Sequence, residues 1–131
     1  MRVVLDASGA IEVALGKRRG SRIAETLAEA DVVLAPELFV SEVVNTIWKY
    51  HQFQWMSLPQ CDEALERALG LVDVLVSTKE LWSEAFLLAR TAGKPAYDMF
   101  YLALARREDA ALVTLDAALR RQAESQGIRI A

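Results

Sequence analysis

The sequence is short of the residues that build disulfides and zinc sites. Cys61 is the only cysteine and His51 the only histidine among 131 residues. One cysteine cannot form an internal disulfide, and its isolation fits a reducing compartment. The chain also lacks the paired histidine and cysteine ligands that zinc sites typically use. We therefore expect a cytoplasmic protein whose chemistry does not depend on a cysteine nucleophile or on zinc.

Long apolar segments and an excess of positive charge are absent as well. No apolar run is long enough to span a bilayer, and the N-terminal run is interrupted at Asp6, which argues against a membrane anchor or a signal peptide. The formal net charge of -3 argues against a protein that holds nucleic acid by bulk charge alone. Basic clusters at 17–22, 106–107 and 120–121 are either local contact sites or solvated helix ends.

What the chain does contain is an alternation of short apolar strands and helices. Hydrophobic residues make up 53% of it, and no repeat or low-complexity tract interrupts it, so we expect a single domain over residues 1–131. Continuous apolar strands that alternate with helices predict an α/β fold with a mainly parallel sheet. The predicted strands are Val3–Leu5, Val32–Leu34, Leu71–Val76, Ala111–Thr114 and a short edge strand at Ile128–Ile130.

Two acidic residues stand where predicted strands end. Asp6 follows Val3–Leu5, and Asp116 closely follows Ala111–Thr114. Ligands of open α/β sheets bind outside the carboxyl ends of the strands, so carboxylates at these positions face a candidate site. The alternative is that each aspartate caps the helix after it, because Asp accepts hydrogen bonds from free N–H groups at helix starts. The two roles are compatible.

Two further acids lie on predicted helices. Pro36 is expected at the first position of a helix, on which Glu42 and Asn45 lie three residues apart beside the apolar face. Asp98 lies in the first turn of a second helix, 97–107, which is apolar nearly all round. A carboxylate among such neighbours loses hydration and needs compensation. The N-terminus of the helix supplies part of it, so capping is the alternative to a site role.

If the strands are parallel neighbours, these four acids can converge on one crevice. Without a cation the cluster would repel itself, and the pKa values of its members would rise. A hard divalent cation removes that cost, and Mg²⁺ or Mn²⁺ favours carboxylate oxygens while retaining several waters. A carboxylate-held Mg²⁺ can activate water and stabilise charge on a phosphodiester, which is the chemistry of many nucleases.

Four segments of the chain resemble the PIN-domain ribonucleases, and most closely the VapC-type toxins of prokaryotic toxin–antitoxin pairs. The segments are Val4–Ser8, Pro36–Asn45, Tyr97–Ala105 and Leu112–Asp116. They occur in the family's order and run from the first strand to the last helix, so the resemblance covers essentially the whole chain.

The resemblance implies a three-layer α/β/α fold, with a mainly parallel central sheet of four to five strands, and Mg²⁺- or Mn²⁺-dependent cleavage of RNA by water. Carried over residue by residue, the catalytic and metal-binding acids would be Asp6, Glu42, Asp98 and Asp116, supported by the polar residues Ser8, Asn45 and Thr114. Asp6 and Asp98 are expected to contact the metal most directly. Many members carry a further acid after the last aspartate, where this chain has Ala117–Leu119, and this departure leaves the number of metal ions open.

The resemblance also implies partners. A toxin of this type is expected to be a cytoplasmic homodimer, inhibited by a cognate antitoxin whose segment lies near the acids. We expect part of these contacts to come from the aromatic run Trp48–Met56. The alternative interpretation is that this run is core beneath a loop. Two other functions stay open at this point. The protein would be either a PIN nuclease that processes RNA without an antitoxin or a non-catalytic α/β module whose acids are helix caps.

Overall fold

The computed structural model describes residues 1–131 as four strands and seven helices. The strands are β1 (Arg2–Leu5), β2 (Val32–Pro36), β3 (Val74–Val76) and β4 (Ala111–Val113). The helices are α1 (Ala7–Ala14), α2 (Gly20–Glu29), α3 (Leu38–Gln52), α4 (Leu58–Leu69), α5 (Thr78–Ala92), α6 (Ala96–Arg107) and α7 (Ala117–Ser125). None of the helices combines the length and the apolarity needed to cross a bilayer.

The sheet is parallel throughout and has the order β3-β2-β1-β4. In its centre, Val4 of β1 pairs with Leu34 on one side and with Leu112 on the other. Helix α6 packs against β1, β2 and β4 and also against α5. Helix α1 packs against α2, α3 and α4. The predicted three-layer α/β/α fold is therefore confirmed. Because all strands run the same way, their carboxyl ends meet at one edge of the sheet.

The core lies around β1 and α6. Val3, Val4 and Leu5 are fully buried, as the uninterrupted apolar run predicts for a strand covered on both faces. In α6, Met99 and the run Tyr101–Ala105 are buried, whereas Tyr97 in the first turn is 72% exposed. The prediction of a buried helix is thus confirmed for its middle, whereas its first residues and Arg106–Arg107 at its end reach the surface.

The predicted helix start at Pro36 is wrong. Pro36 is the last residue of β2 and pairs with Val76, while α3 begins at Leu38. The strand tolerates a proline here because the amide of the next residue, Glu37, donates the hydrogen bond to the Val76 carbonyl (2.9 Å). Proline lacks only its own N–H, so a strand can end on it when that group is not needed.

Three strands are shorter than predicted, although the predicted strand Ala111–Thr114 loses only its last residue, since β4 ends at Val113. The third strand covers Val74–Val76 only, because Asp73 bonds β2 partly through its side chain: its Oδ2 accepts a hydrogen bond from the Val33 amide (2.8 Å). The edge strand expected at Ile128–Ile130 is reduced to a single parallel bridge between Leu112 and Ile130. The sheet therefore has four strands, the lower number of the predicted range.

Candidate active site

The four acids that the sequence singles out line one cleft of about 520 Å³. They come from four different parts of the fold: the ends of β1 and β4, the middle of α3 and the first turn of α6. In chain order they are Asp6, Glu42, Asp98 and Asp116. The parallel sheet brings the first and last of them together, since both follow the carboxyl ends of neighbouring strands.

Asp6 is the most deeply placed of the four and is only 6% exposed. Its Oδ1 accepts hydrogen bonds from Ser8 Oγ (2.7 Å) and from the Gly9 amide (3.1 Å), and its Oδ2 accepts one from Thr114 Oγ1 (2.7 Å). The bond from Gly9 caps α1, so Asp6 is a helix cap and a cleft residue at once. Burial raises the pKa of the Asp6 carboxyl, the three hydrogen bonds oppose this, and the charge of Asp116 adds to it.

Ser8 and Thr114, predicted as supporting residues, both contact Asp6 and connect two strand ends. Ser8 Oγ also accepts a hydrogen bond from the Leu115 amide (3.0 Å). Thr114 Oγ1 accepts one from the Asp116 amide (3.0 Å). The two hydroxyls therefore use both their donor and acceptor capacity to fix the segment after β4 relative to the segment after β1.

Glu42 is half-buried and receives one strong hydrogen bond. The hydroxyl of Tyr101 donates to Glu42 Oε1 at 2.6 Å. Burial raises the pKa of Glu42, the bond from Tyr101 lowers it, and the charges of Asp6 and Asp98 raise it again. The pKa of Tyr101 is itself raised well above its ordinary value, by burial and by the Glu42 charge, so Tyr101 stays protonated and donates.

Tyr101 is a cleft residue that the sequence-based set omits. Its signal was present, because it lies three residues after Asp98 on the same side of α6. Its side chain is 1% exposed, and a tyrosine buried so deeply needs a partner for its hydroxyl. That partner, Glu42, lies on another helix and could not be identified from local sequence.

Asp98 is half-buried and accepts no hydrogen bond from the protein. Pro95 precedes α6 as its N-cap, and the helix has no side-chain cap bond. The capping alternative therefore has no hydrogen bond in its favour at this position. Burial raises the pKa of Asp98, and the charge of Asp116 raises it further. Such a carboxylate is poorly compensated by the chain itself.

Asp116 is exposed and caps α7. Its Oδ1 accepts hydrogen bonds from the amides of Ala118 (2.8 Å) and Leu119 (3.1 Å), which confirms the cap. Its Oδ2 has no donor in the chain. The same side chain lines the cleft and raises the pKa of Asp6 and Asp98 through its charge. As with Asp6, capping and membership of the cleft coincide.

Asn45 is the one predicted residue whose side chain neither lines the cleft nor hydrogen-bonds a residue that lines it. It is exposed on α3, and Thr46, one residue later, lines the cleft instead. On a helix, position i+4 lies about 40° from position i whereas i+3 lies about 60° away on the other side, so the two flank Glu42 differently. Lys17, Arg19 and Tyr50 also line the cleft. The sequence assigned none of these to the site.

The donor chemistry of the cleft fits a hard divalent cation. As the side chains stand, no group of three or more His, Cys, Asp and Glu residues lies close enough together to hold one ion. Mg²⁺ usually keeps several waters and needs only one or two direct carboxylates, so close packing of all the acids is not required. Oxygens without a protein donor remain on Asp98, on Glu42 and on Asp116. When bound, such an ion would activate water and stabilise charge on a phosphodiester.

The aromatic run Trp48–Met56 forms a surface beside this region. Three of its rings are largely solvent-exposed, Trp48 at 52%, Phe53 at 63% and Trp55 at 68%. Trp55 lies 5.3 Å from Phe53 and 5.4 Å from Tyr50, measured between ring centroids. The run is therefore mainly a surface cluster, with Tyr50 and Met56 partly buried against the core. His51 Nδ1 is bonded to the Met56 carbonyl (2.8 Å) within the same cluster.

Comparison with known proteins identifies the family of this chain. The chain is similar to the ribonuclease VapC3 of Pyrobaculum aerophilum, with 28% identity over 118 residues, which is 88% of this chain and 90% of the relative. Its fold matches VapBC-1 of nontypeable Haemophilus influenzae with a TM-score of 0.70 at 19% identity, over 100% of this chain and 97% of the other. It matches a toxin-antitoxin complex from Klebsiella pneumoniae with a TM-score of 0.62 at 19% identity, over 87% and 86%. The PIN domain family model matches residues 3–125, so the predicted membership is confirmed and the chain belongs to the PIN domain family.

Proposed function

We propose that this protein, as a single PIN domain over residues 1–131, is a metal-dependent endoribonuclease that acts as the toxin of a toxin–antitoxin pair. The observation that carries the proposal is the convergence of four acids from separate elements in one cleft at the carboxyl edge of the sheet. Burial, with a further contribution from the charges of neighbouring acids, raises the pKa of Asp6, Glu42 and Asp98. Carboxylates whose charged form is disfavoured in this way are suited to binding a cation.

Mg²⁺ or Mn²⁺ is the proposed cofactor, and the acids differ in what they do with it. Asp98 and Asp6 are the proposed direct ligands. Asp98 has both oxygens free of protein donors, and Asp6 is held in a fixed orientation by Ser8 and Thr114. Glu42, positioned by Tyr101, and Asp116 would act through bound water, with which carboxylates hydrogen-bond readily.

The proposed partners are RNA, a cognate antitoxin and a second copy of the chain, in the cytoplasm. The name of the curated relative, a ribonuclease, supports RNA as the substrate. The structural neighbour that is a toxin-antitoxin complex supports an antitoxin. The surface cluster Trp48–Met56 supplies exposed aromatic area of the kind that protein interfaces favour, and it begins on the helix that carries Glu42.

The direct test is digestion of total RNA by the purified protein with Mn²⁺, with Mg²⁺ and with EDTA. We expect cleavage with either cation, none with EDTA, and none from Asp6→Asn under any condition. Cleavage that persists in EDTA would remove the metal from the proposal, and an inactive wild-type protein that binds partners through its aromatic surface would favour a non-catalytic module. A small antitoxin gene beside this one separates the toxin from a PIN nuclease that processes RNA.

A further inference from the structure

A second groove, of about 600 Å³, lies next to the acidic cleft and has the opposite charge. Four arginines line it, and we call it the arginine groove: Arg18, Arg19, Arg22 and Arg120. Its other lining residues include Thr26, Thr114 and Leu115, and no aspartate or glutamate side chain is among them. The formal net charge of the chain is -3, so the positive charge of this groove is a local feature and not a property of the whole surface.

The charge of the groove is largely uncompensated. Outside the groove, five of the seven arginines form ion pairs with carboxylates; these five are Arg2, Arg67, Arg106, Arg107 and Arg129. In the groove only Arg19 does so, with Glu12 at 3.3 Å. The others, Arg18, Arg22 and Arg120, form no ion pair, and the carboxylate of Ala131, which also lines the groove, pairs with none of them. These guanidinium groups are available to an anion from outside.

The groove and the acidic cleft adjoin each other. Arg19 and Leu115 line both of them. Thr114 lines the groove and also donates the hydrogen bond to Asp6 in the cleft. Arg120 is fixed relative to this junction, because its Nη2 donates to the Thr114 carbonyl (3.2 Å). A polyanion bound along the groove would therefore reach the edge of the acidic cleft.

We propose that the arginine groove binds phosphates of the RNA backbone adjacent to the bond that is cleaved in the acidic cleft, an inference that rests on the proposed ribonuclease function. Guanidinium groups match phosphate oxygens in bidentate geometry and are always charged. An acidic cleft repels a polyanion at a distance, so a neighbouring cationic track has to supply the attraction. Phosphate contacts of this kind set the register of the RNA and carry no base specificity.

The test compares two double variants that remove equal charge. Arg18→Ala with Arg22→Ala removes two of the four arginines of the groove. Neither side chain forms an ion pair that the fold would lose. The control is Arg90→Ala with Arg121→Ala, two arginines that also have no carboxylate partner and do not line the groove. Arg120 is left intact because of its bond to Thr114. Melting temperatures of both variants check that the fold is retained.

RNA binding is measured by fluorescence anisotropy with a short fluorescein-labelled oligouridylate in EDTA, and a gel confirms that the oligonucleotide stays intact. We expect the groove variant to bind several-fold more weakly than the wild type at low salt. We also expect its slope of log affinity against log salt to fall by about 1.4, since each phosphate contact on single-stranded nucleic acid contributes roughly 0.7. The control variant should keep the wild-type slope.

An equal loss in both variants would show that bulk charge and not the groove binds RNA, and would overturn the proposal. Unchanged RNA binding by the groove variant, together with weakened antitoxin binding, would assign the groove to an acidic protein segment and overturn it too. The ribonuclease function has its own readout. If the wild-type protein fails to cleave RNA with Mn²⁺, that function fails, while the anisotropy slopes still decide whether the groove binds phosphate.

Discussion

Thr114 Oγ1 donates a hydrogen bond to Asp6 Oδ2 at 2.7 Å, between residues that are 108 positions apart in the sequence. The bond joins the segment after β4 to the end of β1, and Thr114 simultaneously accepts the Asp116 amide. Two of the four acids are therefore oriented by one buried hydroxyl. Their positions in the cleft depend on each other through Thr114, and this coupling can be tested.

Thr114→Val should lower both stability and RNA cleavage. Valine has a similar shape but leaves the Asp116 amide without its acceptor and Asp6 without one of its donors, so we expect a loss of about 1–3 kcal/mol in the free energy of unfolding. The pKa of Asp6 should rise further, because Thr114 is one of the groups that lower it. Urea denaturation and cleavage assays measure the two effects. Thr91→Val, at an exposed threonine of α5, is the control and should change neither.

Asp98→Asn should abolish RNA cleavage and leave the metal-free fold as stable as the wild type or more so. The change removes a charge from a half-buried position where no hydrogen bond compensates it, and it keeps the side-chain volume. Asp62→Asn, at an exposed aspartate of α4 outside the cleft, is the matched control. Full activity of the Asp98 variant would contradict the site. A stability loss of several kcal/mol in EDTA would instead indicate that Asp98 serves its helix.

The stability that the cleft acids contribute to the metal-free protein should fall as the pH rises above the ordinary carboxyl pKa values. Burial raises the pKa of Asp6, Glu42 and Asp98 above the ordinary carboxyl values. The folded protein then binds more protons than the unfolded chain between the ordinary and the raised pKa, so the stability from these groups is present at low pH and is lost as the pH rises through the raised values. Melting temperatures in EDTA should show a smaller decline for Asp98→Asn than for the wild type. A decline of equal size would exclude Asp98 as a contributor.

Divalent ions should raise the melting temperature in a saturable way. An ion that binds only the folded state stabilises it by mass action, and the gain grows with the logarithm of its concentration above the dissociation constant. Mn²⁺ and Mg²⁺ titrations, with a monovalent salt at equal ionic strength as control, measure the shift. Removal of the ion with EDTA should reverse it. The shift should be small or absent in Asp6→Asn, and a full shift there would place the ion outside the cleft.

Trp55→Ala should weaken self-association or antitoxin binding and leave metal affinity unchanged. The side chain is 68% exposed and contacts mainly the rings of Tyr50 and Phe53, so its loss should not unfold the isolated protein. Large exposed aromatics often dominate binding energy at interfaces. Trp82→Ala, at a tryptophan of α5 that is 59% exposed, is the control. Unfolding of the Trp55 variant, or unchanged association, would contradict this assignment of the partner surface.

Local sequence predicted the position of a residue best where that residue directly follows a clear strand. The apolar run Val3–Leu5 predicted a buried central strand, and the parallel sheet then placed Asp6 at its carboxyl edge. Local rules failed where two elements compete for the same residue. Pro36 satisfies the preference for a helix start. It is nevertheless the last residue of β2, because it pairs with Val76 of the neighbouring strand.

From the sequence alone, apolar runs and helical periodicity predicted the α/β architecture, because these are properties of short segments. The resemblance of four segments to a known family supplied the family and the candidate acids Asp6, Glu42, Asp98 and Asp116. Only the tertiary structure decided which groups meet across the fold. Tyr101 bonds Glu42 from 59 positions away, and Arg120 joins Arg22 in the arginine groove across most of the chain. Such pairings depend on how helices pack on the sheet and on which face each turns inward. No local pattern encodes that geometry, so the partner of a buried hydroxyl and the adjacency of the cleft and the arginine groove appear only in the folded molecule.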